Sequence, residues 1–303
     1  MVKEIVIIGG GPAGLTAGIY AVRGGADTLL LEEAFPGGQI VNTTMVENYP
    51  GFPDGIDGIG LGNAMQKQAE KLGLSIVYDT VTGVEFTPER KLIHTTGETI
   101  EAKKVIIATG SSPRKLAVEG EEKFTGCGIS YCAVCDAAFY RNAVVAVAGG
   151  GDTALTDALH LTRFAKKVYL IHRRDKYRAG EALQKRIAHS DIIEPILNSK
   201  VVEVLGTDKV TGVVVENTLT SEQKTLELDG VFVAVGTQPR SQVFADEVKC
   251  TDEGYIETDA HMMTSVDGVY AVGDIRNTVL RQVITAAADG AIAATHAVEM
   301  LMG

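Results

Sequence analysis

Twice in this chain an apolar strand runs into a glycine-rich turn that opens a helix. In the first case the strand is Glu4 to Ile8. Gly9, Gly11 and Gly14 follow in the spacing G-x-G-x-x-G, then a helical stretch to about Arg23 and a second apolar strand, Thr28 to Glu33. In the second case the strand is Ala143 to Ala148, and Gly149, Gly151 and Ala154 give G-x-G-x-x-A. Asp152 and Thr153 lie in the turn, "GGGDTA", a helix follows from Leu155, and the next strand ends at His172. Strands joined through a helix lie parallel in a sheet covered on both faces. The pattern predicts an α/β chain with two Rossmann-like, three-layer dinucleotide-binding domains.

The spacing has a physical reason. The first glycine permits the tight turn, the second lets backbone N–H groups approach a pyrophosphate, and the third lets the helix start close to the strand. The anion then sits at a helix N-terminus, where free N–H groups and the dipole favour negative charge. Glu32, ending the strand after the first turn, is placed to accept hydrogen bonds from ribose hydroxyls. At the matching place after the second turn the acid is missing. "HRRDKYR" puts His172, Arg173, Arg174 and Arg178 there instead, and arginines clasp a ribose 2′-phosphate that a carboxylate would repel. Two such sites call for different occupants: FAD, held permanently, at the first, and NADPH, which comes and goes, at the second. "GVYAVGDI" supports the flavin reading by delivering Asp274 at a strand end, where a carboxylate can bind ribityl hydroxyls.

A second echo bears on domain organisation. "VIIATGSSP" (Val105 to Pro113) and "VFVAVGTQP" (Val231 to Pro239) are both apolar strands that end in glycine, a short polar turn and proline. Proline stops strand and helix alike, so these ends suit crossings between domains. The expectation is a discontinuous FAD-binding domain, residues 1–113 and 242–303, with an NADPH-binding domain at 114–241. The formal charge of −11 argues against nucleic acid, since the one dense basic run already has a nucleotide to hold. The longest apolar runs are too short for a membrane span, and the start of the chain is not a secretory signal. Four cysteines do not make a disulfide scaffold, so a soluble, reducing, cytoplasmic setting is expected.

Between the two turns stands "CAVCD", Cys132 to Asp136. Zinc wants four ligands, and Cys127 and Cys250 form no second C-x-x-C. Inert buried thiols fit poorly beside a charge. A redox pair remains: the spacing brings two sulfurs within bonding reach and often lowers one thiol's pKa. Asp136 is a candidate acid–base, with capping of the following helix as its other role. Cys127 and Cys250 have no assigned chemistry, and the six histidines form no cluster along the chain.

"GGGPAG", "PGGQ", "ENYPGF", "CAVCD", "GGGDTA", "HRRDKYRA", "VGD" and "RQV" occur in the order seen in low-molecular-weight thioredoxin reductases, which the chain resembles over essentially its whole length. The resemblance implies a homodimer with one FAD per subunit, the dithiol lying in the inserted NADPH domain, and thioredoxin or a similar small dithiol protein as partner. It carries flavin contacts to Gly9, Gly11, Gly14, Glu32, Gly38, Gln39, Asn48, Asp274, Arg281, Gln282 and Val283. Nucleotide contacts carry to the Gly149–Ala154 turn and to Arg173, Arg174 and Arg178. It implies that Cys132 attacks thioredoxin, that Cys135 faces the flavin, and that Asp136 moves the proton. The inserted domain would turn about the crossovers near Pro113 and Pro239 so that the dithiol meets flavin and partner in turn. The chain departs from the common pattern at Ala137, where glycine is usual, and at Thr156–Asp157, where two acids often stand. Rival functions are reduction of another small redox protein, use of an unusual electron donor, and a nucleotide-binding redox sensor without turnover.

Overall fold

Along the strand Lys3–Ile8, Ile5 and Ile7 belong to one hydrophobic cluster and Val6 and Ile8 to another, all four at 3% exposure or less. A strand with apolar neighbours on both faces belongs to the interior of a covered sheet. That sheet runs in the order Ser75–Tyr78, Thr28–Glu32, Lys3–Ile8, Thr99–Ile107, Lys91–Thr95, Val81–Phe86. The first four strands are parallel and the last two antiparallel. Val269–Ala271 also pairs, in parallel, with the far half of Thr99–Ile107. The computed structural model describes residues 2–303 except Thr44 and Glu89. The chain forms two compact units, one of residues 1–112 and 238–303, the other of residues 113–237.

In the first unit the helix Pro12–Arg23 covers one sheet face and packs against the helix Val283–Met302. The two come close because small residues line the contact. A Cβ on Gly290 would lie 2.2 Å from the Ala13 carbonyl oxygen, and Ala286, Ala293, Ala294 and Ala297 are buried along the same helix. The long helix starts with a capping box, Gln282 and Thr285 exchanging side-chain and backbone hydrogen bonds.

The second unit repeats the plan with a five-stranded parallel sheet ordered Ile193–Ile196, Lys167–Ile171, Val144–Gly149, Gly230–Ala234, Ile129–Ser130. A three-stranded antiparallel sheet, Ser199–Gly206, Val210–Asn217 and Gln223–Glu227, accompanies it. Val145 and Val147 face one cluster, Ala146 and Ala148 the other, as in the first unit. At the two places where the chain passes between units, each unit ties off its own ends. The Arg240 N–H donates to the Gly110 carbonyl at 3.0 Å in the first, and the Arg114 N–H to the Gly236 carbonyl at 2.9 Å in the second.

The helix Asp152–Leu161 buries Ala154, Leu155, Ala158 and Leu161 but also sinks part of Asp157. Burial alone pushes that carboxyl from 3.8 up to about 7. Between those values the folded protein holds a proton that the unfolded chain has released, so stability falls as pH climbs through the window and levels off above it. Asp157→Asn removes this slope. Thermal unfolding at about pH 8 should give a higher midpoint for the variant than for wild type, with the gap closing by about pH 4; a gap independent of pH would disprove the buried carboxyl's role.

Candidate active site

The amino-terminal turn is built on contact. A Cβ at Gly14 would stand 1.9 Å from the Gly9 carbonyl oxygen, and one at Gly9, where φ is +107°, would stand 2.5 Å from the Ala108 oxygen. Neither residue can carry a side chain. Gly11 differs: the nearest atom to its Cβ position is Gly38 Cα at 3.9 Å, so space lies open over the start of the helix. Gly11 is the N-cap and no side chain caps the first turn. The turn fits a diphosphate, which would take the place of the missing cap. Glu32 reaches the same turn, accepting hydrogen bonds from the Gly10 N–H at 2.6 Å and the Ala34 N–H at 2.9 Å.

The other residues expected near a flavin come together in the same unit from distant parts of the chain. Gly38 and Gln39 begin the short helix Gly38–Asn42, and Gly38 Cα is the atom beside Gly11. The Asn48 side-chain amide donates to the Gln282 amide oxygen at 2.9 Å. Val283 begins the long helix, and the Arg281 guanidinium lies 4.3 Å over the Tyr255 ring. Arg281 Nε is buried with no hydrogen-bond partner among the described residues, an orphan donor that a bound group would satisfy. Burial pushes the Asp274 carboxyl up, against the pull of Arg281. Asp274 is held by an arrangement absent from the sequence reading. Buried Asp289 accepts from the Gly273 N–H at 3.1 Å and from Arg276 Nε at 2.8 Å, pinning the turn Gly273–Ile275.

In the second unit the turn is just as tight. A Cβ at Gly149 would meet the Ala234 oxygen at 2.3 Å, while Gly151 has nothing within 4 Å. Gly151 is again an uncapped N-cap, and Asp152 and Thr153 lie exposed at the start of the helix. The Asp152 carboxylate accepts from the Gly180 N–H at 2.9 Å. His172 is buried against this turn and bonds the Lys176 carbonyl at 3.1 Å. Burial holds its imidazole below the usual range, and the neighbouring arginine charges push the same way. Arg173, Arg174 and Arg178 stand exposed, and none forms an ion pair among the described residues. The Arg178 N–H fastens the loop by donating to the Gly150 carbonyl at 2.8 Å. Three uncompensated guanidiniums beside an open glycine turn fit a ligand with more phosphate than a diphosphate alone.

Cys132 and Cys135 are joined by a disulfide, with Cα atoms 5.3 Å apart. Ser130 sets up the loop: its hydroxyl accepts from the Cys132 N–H at 3.0 Å. Cys132 is the N-cap of the short helix Ala133–Asp136, and its Sγ accepts from the Cys135 N–H at 3.2 Å. Asp136 ends that helix and caps nothing with its side chain, so the capping role is not the one observed. Burial pushes its carboxyl up, opposed by a hydrogen bond with the Ser130 side chain. Cys127 is exposed and Cys250 half-buried; both are free thiols.

Residues 3–290 match the pyridine nucleotide-disulphide oxidoreductase family. The chain is 43% identical over 297 residues to a thioredoxin reductase of Listeria monocytogenes, covering 98% of this chain and 93% of that one. It is 42% identical over 304 residues to one of Bacillus subtilis, covering 99% and 96%. The crystal structure of thioredoxin reductase from Streptococcus pyogenes superposes with a TM-score of 0.94 at 43% identity, over 99% of this chain and 98% of that one. The chain therefore belongs to the pyridine nucleotide-disulphide oxidoreductase family, among its thioredoxin reductases.

Proposed function

We propose that this chain is an NADPH-dependent thioredoxin reductase, with FAD held by residues 1–112 and 238–303 and NADPH by residues 113–237. The observation that carries the reading is the Cys132–Cys135 disulfide beside a half-buried acid, in the same unit as an arginine-flanked nucleotide turn. Gly9, Gly11 and Gly14 would cradle the flavin diphosphate, with Glu32 at the ribose and Asp274 at the ribityl chain. Arg281, Gln282 and Asn48 close the site. Arg173, Arg174 and Arg178 would clasp the 2′-phosphate. A donor lacking that phosphate would leave all three arginines without a counter-charge. FAD, when bound, accepts hydride from NADPH and passes two electrons to the disulfide.

Two electrons and one proton open the Cys132–Cys135 bond to a thiolate and a thiol. The Cys132 sulfur keeps an amide donor from Cys135, which favours its thiolate. It attacks one sulfur of the partner's disulfide; a mixed disulfide forms and the other partner sulfur leaves as thiolate. Cys135, losing its proton to Asp136, attacks Cys132 Sγ. The internal disulfide re-forms and the partner leaves as a dithiol, one proton returning from Asp136 and one from water. An aspartate whose pKa burial has raised is suited to holding that proton. Turning of residues 113–237 about the two crossovers would let one dithiol serve both steps. The same chemistry predicts a partner with an exposed, strained or readily attacked disulfide, of which thioredoxin is the type; the likeness to thioredoxin reductases, not the chemistry, supports assembly as a homodimer.

Cys135→Ser should lower thioredoxin-dependent NADPH oxidation by at least about three orders of magnitude, while NADPH still bleaches the bound flavin. Undiminished turnover in that assay rules the assignment out. Removing the clasp tests the donor. Arg173→Ala/Arg174→Ala should raise KM for NADPH roughly ten- to hundredfold, the loss expected for charged hydrogen bonds, and leave KM for NADH unchanged. Equal effects on both nucleotides in steady-state kinetics would count against the 2′-phosphate role.

A further inference from the structure

The strand Thr99–Ile107 changes its neighbour part-way along one edge. Ala102 pairs with Lys91 of the antiparallel strand Lys91–Thr95, and Val105 pairs with Val269 of the parallel strand Val269–Ala271. At the change the Val105 N–H donates to the Gly268 carbonyl at 3.0 Å. Two lysine side chains converge there. A Cβ on Gly268 would lie 3.1 Å from Lys104 Nζ and 3.2 Å from Lys91 Cε, so both chain ends crowd one point. Lys91 is 5% exposed and Lys104 9%. Both line a cavity of about 320 Å³ that Arg90, Lys103, Asp267 and Met300 also border.

Among the described residues the charges lining this cavity do not cancel. Lys103 is taken by Glu4, at 3.2 Å. Among the described residues neither Lys91 nor Lys104 has a hydrogen-bond or ion-pair partner, and Asp267 makes no ion pair with either. Their aliphatic stems are buried, but neither Nζ is among the buried partnerless atoms, so both ammonium groups open onto the cavity, where they repel each other. Burial depresses the Lys91 pKa, Lys104 lowers it further, and Asp267 only partly offsets them. In a chain of net charge −11, four cations line one cavity, one of them already paired with Glu4, and among the described residues a single carboxylate lines it with them, a local reversal of sign.

We propose that this cavity is a binding site for a compact oxyanion of the phosphate class, held by Lys91, Lys104 and Arg90 and separate from both nucleotide turns. An occupant would tie together the strands Lys91–Thr95 and Thr99–Ile107 beside the point where the sheet edge changes partner. The second of these leads to Ala108, against which Gly9 packs, and the strand that pairs with it there leads to the turn that carries Asp274. The anion is therefore a stabiliser of the unit that holds the amino-terminal turn.

The test is thermal unfolding of the flavin-loaded protein in inorganic phosphate or pyrophosphate against sodium chloride of equal ionic strength. A saturable rise in midpoint is expected, roughly 5–10 °C at a hundredfold excess over Kd. The same rise should remain in Arg173→Ala/Arg174→Ala, which separates this site from the nucleotide clasp. It should vanish in Lys91→Met/Lys104→Met, whose midpoint in chloride should equal or exceed that of wild type. Should the double variant fail to fold, Arg90→Gln, at an exposed position, should weaken pyrophosphate binding about tenfold by calorimetry. No rise over chloride, a rise kept in the lysine variant, loss of the rise in the arginine variant, or unchanged affinity in Arg90→Gln would each overturn the proposal.

Discussion

Where Gly14 passes the Gly9 carbonyl, there is no room for a methyl group: its carbon would sit 1.9 Å from the oxygen. That oxygen belongs to a turn whose N–H is already bonded to the Leu31 carbonyl, and the turn rests on Ala108 of the central strand. Nothing behind it can retreat. The helix Pro12–Arg23 is thereby held at one height over the sheet, and its uncapped first-turn N–H groups face one direction. The second unit reaches the same result with a different third residue. Gly149 presses on the Ala234 carbonyl, and Ala154 supplies a methyl where the first turn has none. Close packing of backbone on backbone precedes any chemistry at either turn, because an anion is bound by N–H groups only if those groups are held before it arrives.

Charge then separates two turns that are alike in shape. After the first, Glu32 is tethered by two backbone N–H groups and presents its carboxylate to the turn. After the second, three guanidiniums stand free in the solvent. The buried pair of Arg276 and Asp289 serves a different end. Its members are 16% and 10% exposed, and a pair that deep contributes little net stability, but loss of either partner strands the other charge in the interior. It acts as a fastener that fixes Gly273–Ile275 and with it the direction in which Asp274 leaves the sheet.

These features differ in how openly the sequence displays them. Strands, helices and glycine turns follow from spacing within a dozen residues, so Gly9, Gly11, Gly14, Gly149 and Gly151 are readable directly. The Cys132–Cys135 bond is also a local matter. Contacts between distant residues leave no such mark. Asn48 and Gln282 are 234 positions apart. His261 and His296, with no neighbours of their kind in the sequence, stack with ring centroids 4.5 Å apart. Arg276 and Asp289 look like ordinary surface charges on the page, and so do Lys91 and Lys104. Their significance comes from burial, which only the assembled sheet decides. Asp136 shows a subtler limit: an aspartate after C-x-x-C reads as a cap of the next helix or as an acid, and only the absence of a side-chain cap bond from Asp136, at the N-cap position of Ala137–Tyr140, separates the two.

That N-cap also bears on which sulfur does what. The two cysteines are chemically identical, and a disulfide between them is symmetric by composition. The backbone breaks the symmetry. Cys132 precedes the helix in extended conformation and its sulfur accepts an N–H, whereas Cys135 lies inside the helix and contributes the donor. A thiolate with an amide donor is a better leaving group than one without, so electrons entering the bond at Cys135 expel Cys132 as the stabilised anion. The expelled sulfur is then the one already ionised when a partner disulfide arrives. On the proposed mechanism, attack by Cys132 and resolution by Cys135 follow from a single hydrogen bond, and Asp136 completes the asymmetry by standing beside Cys135 with a carboxyl that burial keeps ready for a proton.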